Sequence, residues 1–151
     1  MTMRIALFQP DQAGNVGTIL RLAACFGTPV GIIEPCGFAF SERALRRAGM
    51  DYAAQAEISR YSDWDQFLGS LRGRLILLST KGNIIVSNVG FESSDTLLLG
   101  SESAGAPDYV HQAADIVARI PLQPGFRSLN VAVAAGMALH EALRQTGSLP
   151  I

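Results

Sequence analysis

Lysine is nearly missing from this chain: of its 12 basic residues only Lys81 is a lysine, and the others are arginine. Acidic residues number 13, so the formal net charge is −1 and the isoelectric point about 6.1. That balance excludes the strongly basic footprint of a whole-domain nucleic-acid binder. It leaves room for a local patch, because arginine forks onto phosphates and stacks on bases. Cysteine is scarce as well. Cys25 and Cys36 have neither zinc spacing nor a disulfide framework, and both are expected to be reduced and buried. No apolar run approaches the roughly 18 residues of a membrane span. The apolar stretch of MTMRIALFQP is too short for a signal peptide and is broken by Gln9. A cytoplasmic protein with no membrane partner is expected. No set of His, Cys, Asp and Glu has metal-ligand spacing, so no metal is expected. Neither G-x-x-x-x-G-K-[ST] nor G-x-G-x-x-G occurs, which counts against a flavodoxin-like nucleotide binder.

What the chain does have is alternation. Apolar runs at Arg4–Gln9, Val30–Glu34, Arg74–Thr80, Thr96–Gly100 and Ile116–Ile120 read as strands buried on both faces. Helical patterns lie between them at Asn15–Phe26, Ser41–Ala48, Asp63–Leu71 and Leu129–Gln145. Ser41 can cap the second of these, Arg46 and Arg47 suit its last turn, and Gly49 can end it. Strands alternating with helices predict an α/β fold: a mainly parallel sheet covered on both faces. No repeat, linker or low-complexity tract interrupts residues 1–151, which read as a single domain.

In such sheets the ligand sits beyond the carboxyl ends of the strands. The strand-exit loops are QPDQAGN, EPCGF, STKGN, GSESAGAP and PLQPGFRS. In the helix GNVGTILRLAACFG the apolar stripe is Val16, Ile19, Leu20, Ala23 and Ala24. Arg21 falls to its side, above Gly17, where the missing side chain would let a partner approach. Asn15 is placed to cap this helix. In GSESAGAP the small residues Ser103, Ala104 and Gly105 form a tight turn into a short helix. Glu102 there can accept from backbone N–H groups or an arginine. In PLQPGFRSLN two prolines and a glycine constrain the chain before Ser128 or Asn130 caps a helix rich in Ala and Gly. His140 reads as a packing or interface residue, His111 as a partner of a helix dipole, and Trp64 as the anchor of an amphipathic helix.

The ordered set N-x-G-x-x-x-R (Asn15, Gly17, Arg21), G-x-E-x-x-G (Gly100, Glu102, Gly105) and S-L-N (Ser128–Asn130) resembles the SPOUT-class RNA 2′-O-ribose methyltransferases. The closest likeness is to the short tRNA enzymes that act on the wobble nucleotide, C34 or U34. IIEPCGFAFSERALRRAGMDY and Thr80–Gly82 also look like that subgroup, and the resemblance runs nearly end to end. It implies a parallel sheet whose C-terminal segment is threaded into a deep trefoil knot. It implies S-adenosylmethionine as methyl donor, held by Leu78, Gly100, Glu102, Gly105, Ile120, Leu122 and Ser128, chiefly through backbone groups. It also implies a homodimer, with Arg21 of one subunit near the cofactor of the other, and the anticodon region of tRNA as substrate. The chain departs from the pattern at Ser101, where proline is usual, and at Ala104 and Ala132.

The implied chemistry needs a ribose oxygen in line with the sulfonium methyl, loss of its proton, and exclusion of water. Arg21, Asn15, Ser128 and Asn130 are the expected catalytic set. A guanidinium donates hydrogen bonds and does not accept them. Arg21 is therefore expected to hold phosphate and polarise the 2′-oxygen. The proton goes either to a phosphate oxygen or to Arg21 itself. Asn130 and Ser128 orient the site, and Glu102 braces its loop. Arg43, Arg46, Arg47, Arg60 and Lys81 are candidate RNA contacts. The competing readings are ribose methylation at another tRNA or rRNA position, and a non-catalytic RNA-binding factor of the same fold.

Overall fold

The computed structural model describes residues 2–39, Ser41, Arg43 and 56–151. In chain order they form β1 (Arg4–Phe8), α1 (Ala13–Phe26), β2 (Val30–Ile33), β3 (Ile58–Tyr61), α2 (Trp64–Gly69), β4 (Leu75–Leu78) and β5 (Ile84–Ile85). A 3₁₀ turn at Val86–Asn88, β6 (Thr96–Leu99), α3 (Asp108–Ala113), β7 (Ile116–Arg119) and α4 (Val131–Gln145) follow. The strands make one seven-stranded sheet in the order β3-β2-β1-β6-β4-β7-β5, and every pairing is parallel. The helix expected over Ser41–Ala48, with Arg46, Arg47 and Gly49, lies outside the described residues.

Each of the five expected strands forms, one or two residues shorter at its ends. Their continuous apolar character has the anticipated cause. Ile5, Leu7, Ile32, Ile76, Leu97 and Leu99 face one core, with α1 and α4. The alternating residues Ala6, Phe8, Ile33, Leu75, Leu77 and Leu98 face the other, with Phe67 of α2 and Val110 of α3. Two strands escape the sequence pattern. β3 is an edge strand with Ser59 and Arg60 exposed, and β5 is only two residues long. Trp64 does anchor α2: its ring lies 5.7 Å from Phe8 and 5.4 Å from Phe67. Asp95, fully buried, is neutralised by Arg74 through bonds of 3.0 and 2.8 Å.

Three expectations on the α1 side need correcting. Helix α1 starts two residues before Asn15, and Gln12 rather than Asn15 holds its cap position, its side chain capping no backbone N–H of the helix. Gly17, read as lying beside the apolar stripe, is buried, whereas Arg21 is exposed. The cysteines are free, as expected, but Cys25 is exposed and Cys36 half-buried.

The sheet order sets one unusual constraint. β4 and β5 are joined by a short connection, yet β7, made much later, lies between them. The connecting residues therefore pass across β7. Ser79 N donates to Ala118 O at 2.9 Å and Asn83 N to Val117 O at 3.2 Å. A Cβ at Gly82 would lie 2.4 Å from the carbonyl carbon of Ala118. Helix α4 then packs against α1, and Gly136 brings it close to Leu22. Its outer side leaves Val133 51% and Met137 49% exposed. His140 is exposed on the same side, its ring edge-on to Phe26 with the centroids 6.5 Å apart.

Candidate functional site

The loops leaving β4, β6 and β7 surround a cleft of about 570 Å³ beyond the carboxyl ends of the strands, joined by the first turn of α1. Asn15, Leu78, Gly100, Glu102, Gly105, Ile120, Leu122, Ser128 and Asn130 all line it. Arg21 does not: it projects from α1 outside the cleft of its own chain. Of the expected RNA contacts, Lys81 is exposed on the cleft wall, Arg60 pairs with Glu34, and Arg43 is exposed.

Asn130 joins two of the motifs. Its Oδ1 caps α4, accepting from Ala132 N at 2.8 Å and Val133 N at 3.3 Å. Its Nδ2 donates to Asn15 Oδ1 at 3.0 Å, and Asn15 Nδ2 donates to Gln12 Oε1 at 3.1 Å. One side chain thus ends a helix and clamps the cleft's two polar corners together. Asn130→Ala is expected to lower stability by about 1 kcal/mol, the usual worth of a cap, and the melting temperature by about 2–4 °C. Asn130→Asp keeps the acceptor but loses the donor to Asn15. It should melt like the parent while losing activity with the alanine variant; thermal denaturation beside a methylation assay separates the two roles.

Glu102 behaves as expected and adds a partner that sequence reading missed. Its Oε2 accepts from Asp11 N at 2.9 Å. The two carboxyls face each other, and Asp11 Oδ1 is buried with no other partner. Ser103 Oγ donates to Asp11 Oδ2. Burial, then the contact with Asp11, raises the Glu102 carboxyl above its ordinary value, while bonds from Glu102 and Ser103 lower Asp11. A proton on Glu102 would satisfy the buried Asp11 oxygen. The folded chain holds the Glu102 proton more tightly than the unfolded chain. That stabilisation is full below the ordinary glutamate value of 4.5 and is lost as pH rises through the folded value. The Asp11 contribution runs the other way: it is present above 3.8 and is lost as pH falls through the lowered value. Glu102→Gln, which stays neutral, should flatten the fall in melting temperature from pH 4.5 upward; an unchanged slope would refute the shared proton.

A second network ties the β4 exit to α3. His111 Nδ1 meets Pro107 O at 3.2 Å, and since that oxygen only accepts, Nδ1 is the donor. His111 Nε2 meets Ser79 Oγ at 3.0 Å, and Ser79 Oγ accepts from Lys81 N at 3.1 Å. His111 is therefore a cleft residue whose ring has two partners, the Ser79 hydroxyl and the Pro107 carbonyl, beyond the dipole contact expected of it. Ser79 was signalled only by its place in the exit loop STKGN. Gly100 stands where the loop folds back. Ser101 and Gly105 exchange backbone bonds of 3.2 and 2.9 Å, and a Cβ at Gly100 would lie 2.5 Å from Gly105 C.

A wholly parallel sheet with a cleft of apolar wall and polar corners beyond its carboxyl ends is the arrangement of the α/β class whose ligand sites lie in the strand-exit loops. Comparison with known proteins narrows the class. Residues 2–140 match the SpoU rRNA methylase family. A Beijerinckia indica subsp. indica protein named tRNA (cytidine(34)-2′-O)-methyltransferase is 51% identical over 148 residues, covering 96% of this chain and 92% of that one. A solved structure described as giving insights into the 2-OH methylation of C/U34 on tRNA superposes with a TM-score of 0.90 at 37% identity, covering 95% of each chain. An AdoMet-bound rRNA methyltransferase from Sinorhizobium meliloti superposes at 0.84 with 28% identity, covering 95% of this chain and 56% of that one. The chain belongs to the SpoU rRNA methylase family and is a methyltransferase.

Proposed function

We propose that this chain transfers a methyl group from S-adenosylmethionine to the ribose 2′-oxygen of the wobble nucleotide, C34 or U34, of tRNA. The observation that carries the reading is the convergence of the three motif loops on one cleft, with Asn130 bonded to Asn15 across it. Relatives matched over almost their whole length carry that activity in their names.

The cleft suits the donor. Its volume of about 570 Å³ lies within the range of small-molecule sites. Leu78, Leu99, Ile120 and Leu122 offer an apolar wall for a purine, and the folded-back backbone at Gly100–Gly105 lets a ligand meet peptide groups directly. Gly100, Glu102, Gly105, Leu122 and Ser128 would hold it beside Leu78 and Ile120. When bound, this donor supplies an electrophilic methyl on a sulfonium.

The chain's residues then have separable tasks. Asn15, Ser128 and Asn130 fix the ribose so that its 2′-oxygen points into the cleft. Glu102 holds the first loop through Asp11 N. Arg21 donates to an RNA phosphate and to the 2′-oxygen, lowering the cost of the developing alkoxide. The proton leaves to a phosphate oxygen, since a guanidinium offers donors only.

The place of Arg21 off the cleft of its own chain supports its service to the cleft of a second subunit, and the exposed Val133 and Met137 on α4, which packs against α1, support a homodimer. Residues 1–151 act as one SPOUT domain in the cytoplasm. A trefoil knot is supported by the placement of β7 between strands already joined and by the crossing at Gly82.

The test is incubation with isotopically labelled S-adenosylmethionine and total tRNA, followed by mapping of the modified nucleotide. Label on the ribose of nucleotide 34 is expected. Label on a base nitrogen, or none, would discard the reading.

A further inference from the structure

Phe126 has no part in the chemistry above, and it is the most exposed aromatic side chain among the described residues, at 75%. Backbone geometry holds it out. Gly125 takes a left-handed φ of 94°, and Phe126 N donates to Gln123 O at 3.3 Å, closing a turn. The same loop lines the cleft at Leu122 on one side of the turn and at Ser128, Leu129 and Asn130 on the other. Arg127 follows, also exposed, and residues 121–130 contain no carboxylate.

We propose that Phe126 is a stacking platform for the substrate: its ring takes a nucleobase next to the nucleotide whose ribose enters the cleft, and Arg127 takes an adjoining phosphate. The proposal rests on the reading of the cleft given above. Three features favour RNA as the occupant. The ring stands on the rim of the cleft that receives the ribose. A cation with no acid in the loop complements a phosphate backbone. Single-stranded RNA loops are recognised with their bases splayed out and stacked on aromatic rings, because an unstacked base has an open π-face. A turn closed by its own backbone bond holds the ring out toward solvent, which suits it to a base already unstacked in the loop.

The experiment measures steady-state methylation of an anticodon stem-loop by Phe126→Ala, Phe126→Leu and Phe126→Trp, with KM for RNA and for S-adenosylmethionine taken separately. Sedimentation of each variant runs alongside. Phe126→Ala should raise KM for RNA about tenfold, the loss of one base–aromatic stack, and leave KM for the donor within about twofold. Phe126→Leu keeps apolar bulk without a π-face and should be as poor as alanine; Phe126→Trp should match the parent. 2-Aminopurine placed beside the target nucleotide should be quenched by the parent and not by Phe126→Ala. A leucine variant equal to the parent, an unchanged KM for RNA in the alanine variant, or a shift of that variant toward monomer would each overturn the proposal. The last result would assign the ring to a second copy of the chain. If the parent itself fails to methylate the stem-loop, the reading of the cleft falls and this proposal with it.

Discussion

Replacing Arg21 with alanine is expected to lower kcat for methyl transfer by about 100- to 1,000-fold, the cost of removing one preorganised donor from a developing oxyanion. The Kd for S-adenosylmethionine should stay within about twofold, because the contacts proposed for Arg21 are to the RNA phosphate and the 2′-oxygen and not to the donor. Arg21→Lys should recover only part of the rate, since an ammonium cannot fork between a phosphate and the 2′-oxygen. Isothermal titration and single-turnover assays measure the two quantities separately. The position of Arg21 gives a sharper test. If it serves the partner's cleft, a mixed dimer of Arg21→Ala with the cleft-blocking Leu122→Trp regains one complete site. The Arg21→Ala subunit keeps an open cleft, and the other subunit supplies the arginine. If Arg21 acted within its own chain, no site in the mixed dimer would be whole. Near-normal turnover of Arg21→Ala would remove it from the chemistry altogether.

The second large effect is on stability. Gly82→Ala should destabilise the protein by about 3 kcal/mol, at the upper end of overpacking costs, and lower its melting temperature by about 6–12 °C. The new Cβ would sit 2.4 Å from Ala118 C, 2.7 Å from Arg119 N and 2.8 Å from Ala118 O. All three are backbone atoms of a strand paired on both sides, so none can swing away as a side-chain tip would. Gly90→Ala is the control, because a Cβ there meets nothing within 4 Å, and it should change stability by less than about 1 kcal/mol. Differential scanning calorimetry decides it. Equal melting temperatures for the two variants would mean that the crossing at β7 is looser than described.

How far the sequence disclosed this arrangement depends on the range of each signal. The central strands were legible because burial on both faces makes them apolar throughout. β3 was not, since an edge position lets Ser59 and Arg60 face solvent and breaks the pattern. The start of α1 was misplaced because Gln12 makes no capping bond to the helix, leaving Asn15 as the better-looking cap. Asn130 was legible as a cap, which is a local matter, but its second bond reaches Asn15, 115 residues away. Asp11 escaped notice for the same reason: its role comes from Glu102, 91 residues distant. The convergence of residues from α1 and three exit loops came from the resemblance rather than from any periodicity. Gly17 shows the limit of a helical wheel. The wheel places a residue at an angle, but only packing shows whether that angle faces solvent, and here it is buried.

The place of β7 also bears on how the protein is made. β5 has a single neighbour in the sheet, and that neighbour is β7. A nascent chain that has not yet reached Ile116 therefore carries Ile84 and Ile85 with no strand to join, and the flank of β4 lies bare beside them. Uncovered strand flanks recruit other chains. Synthesis of the last quarter of the polypeptide is thus the step that seals the sheet, and ribosome-stalled fragments ending before it should depend most heavily on chaperones.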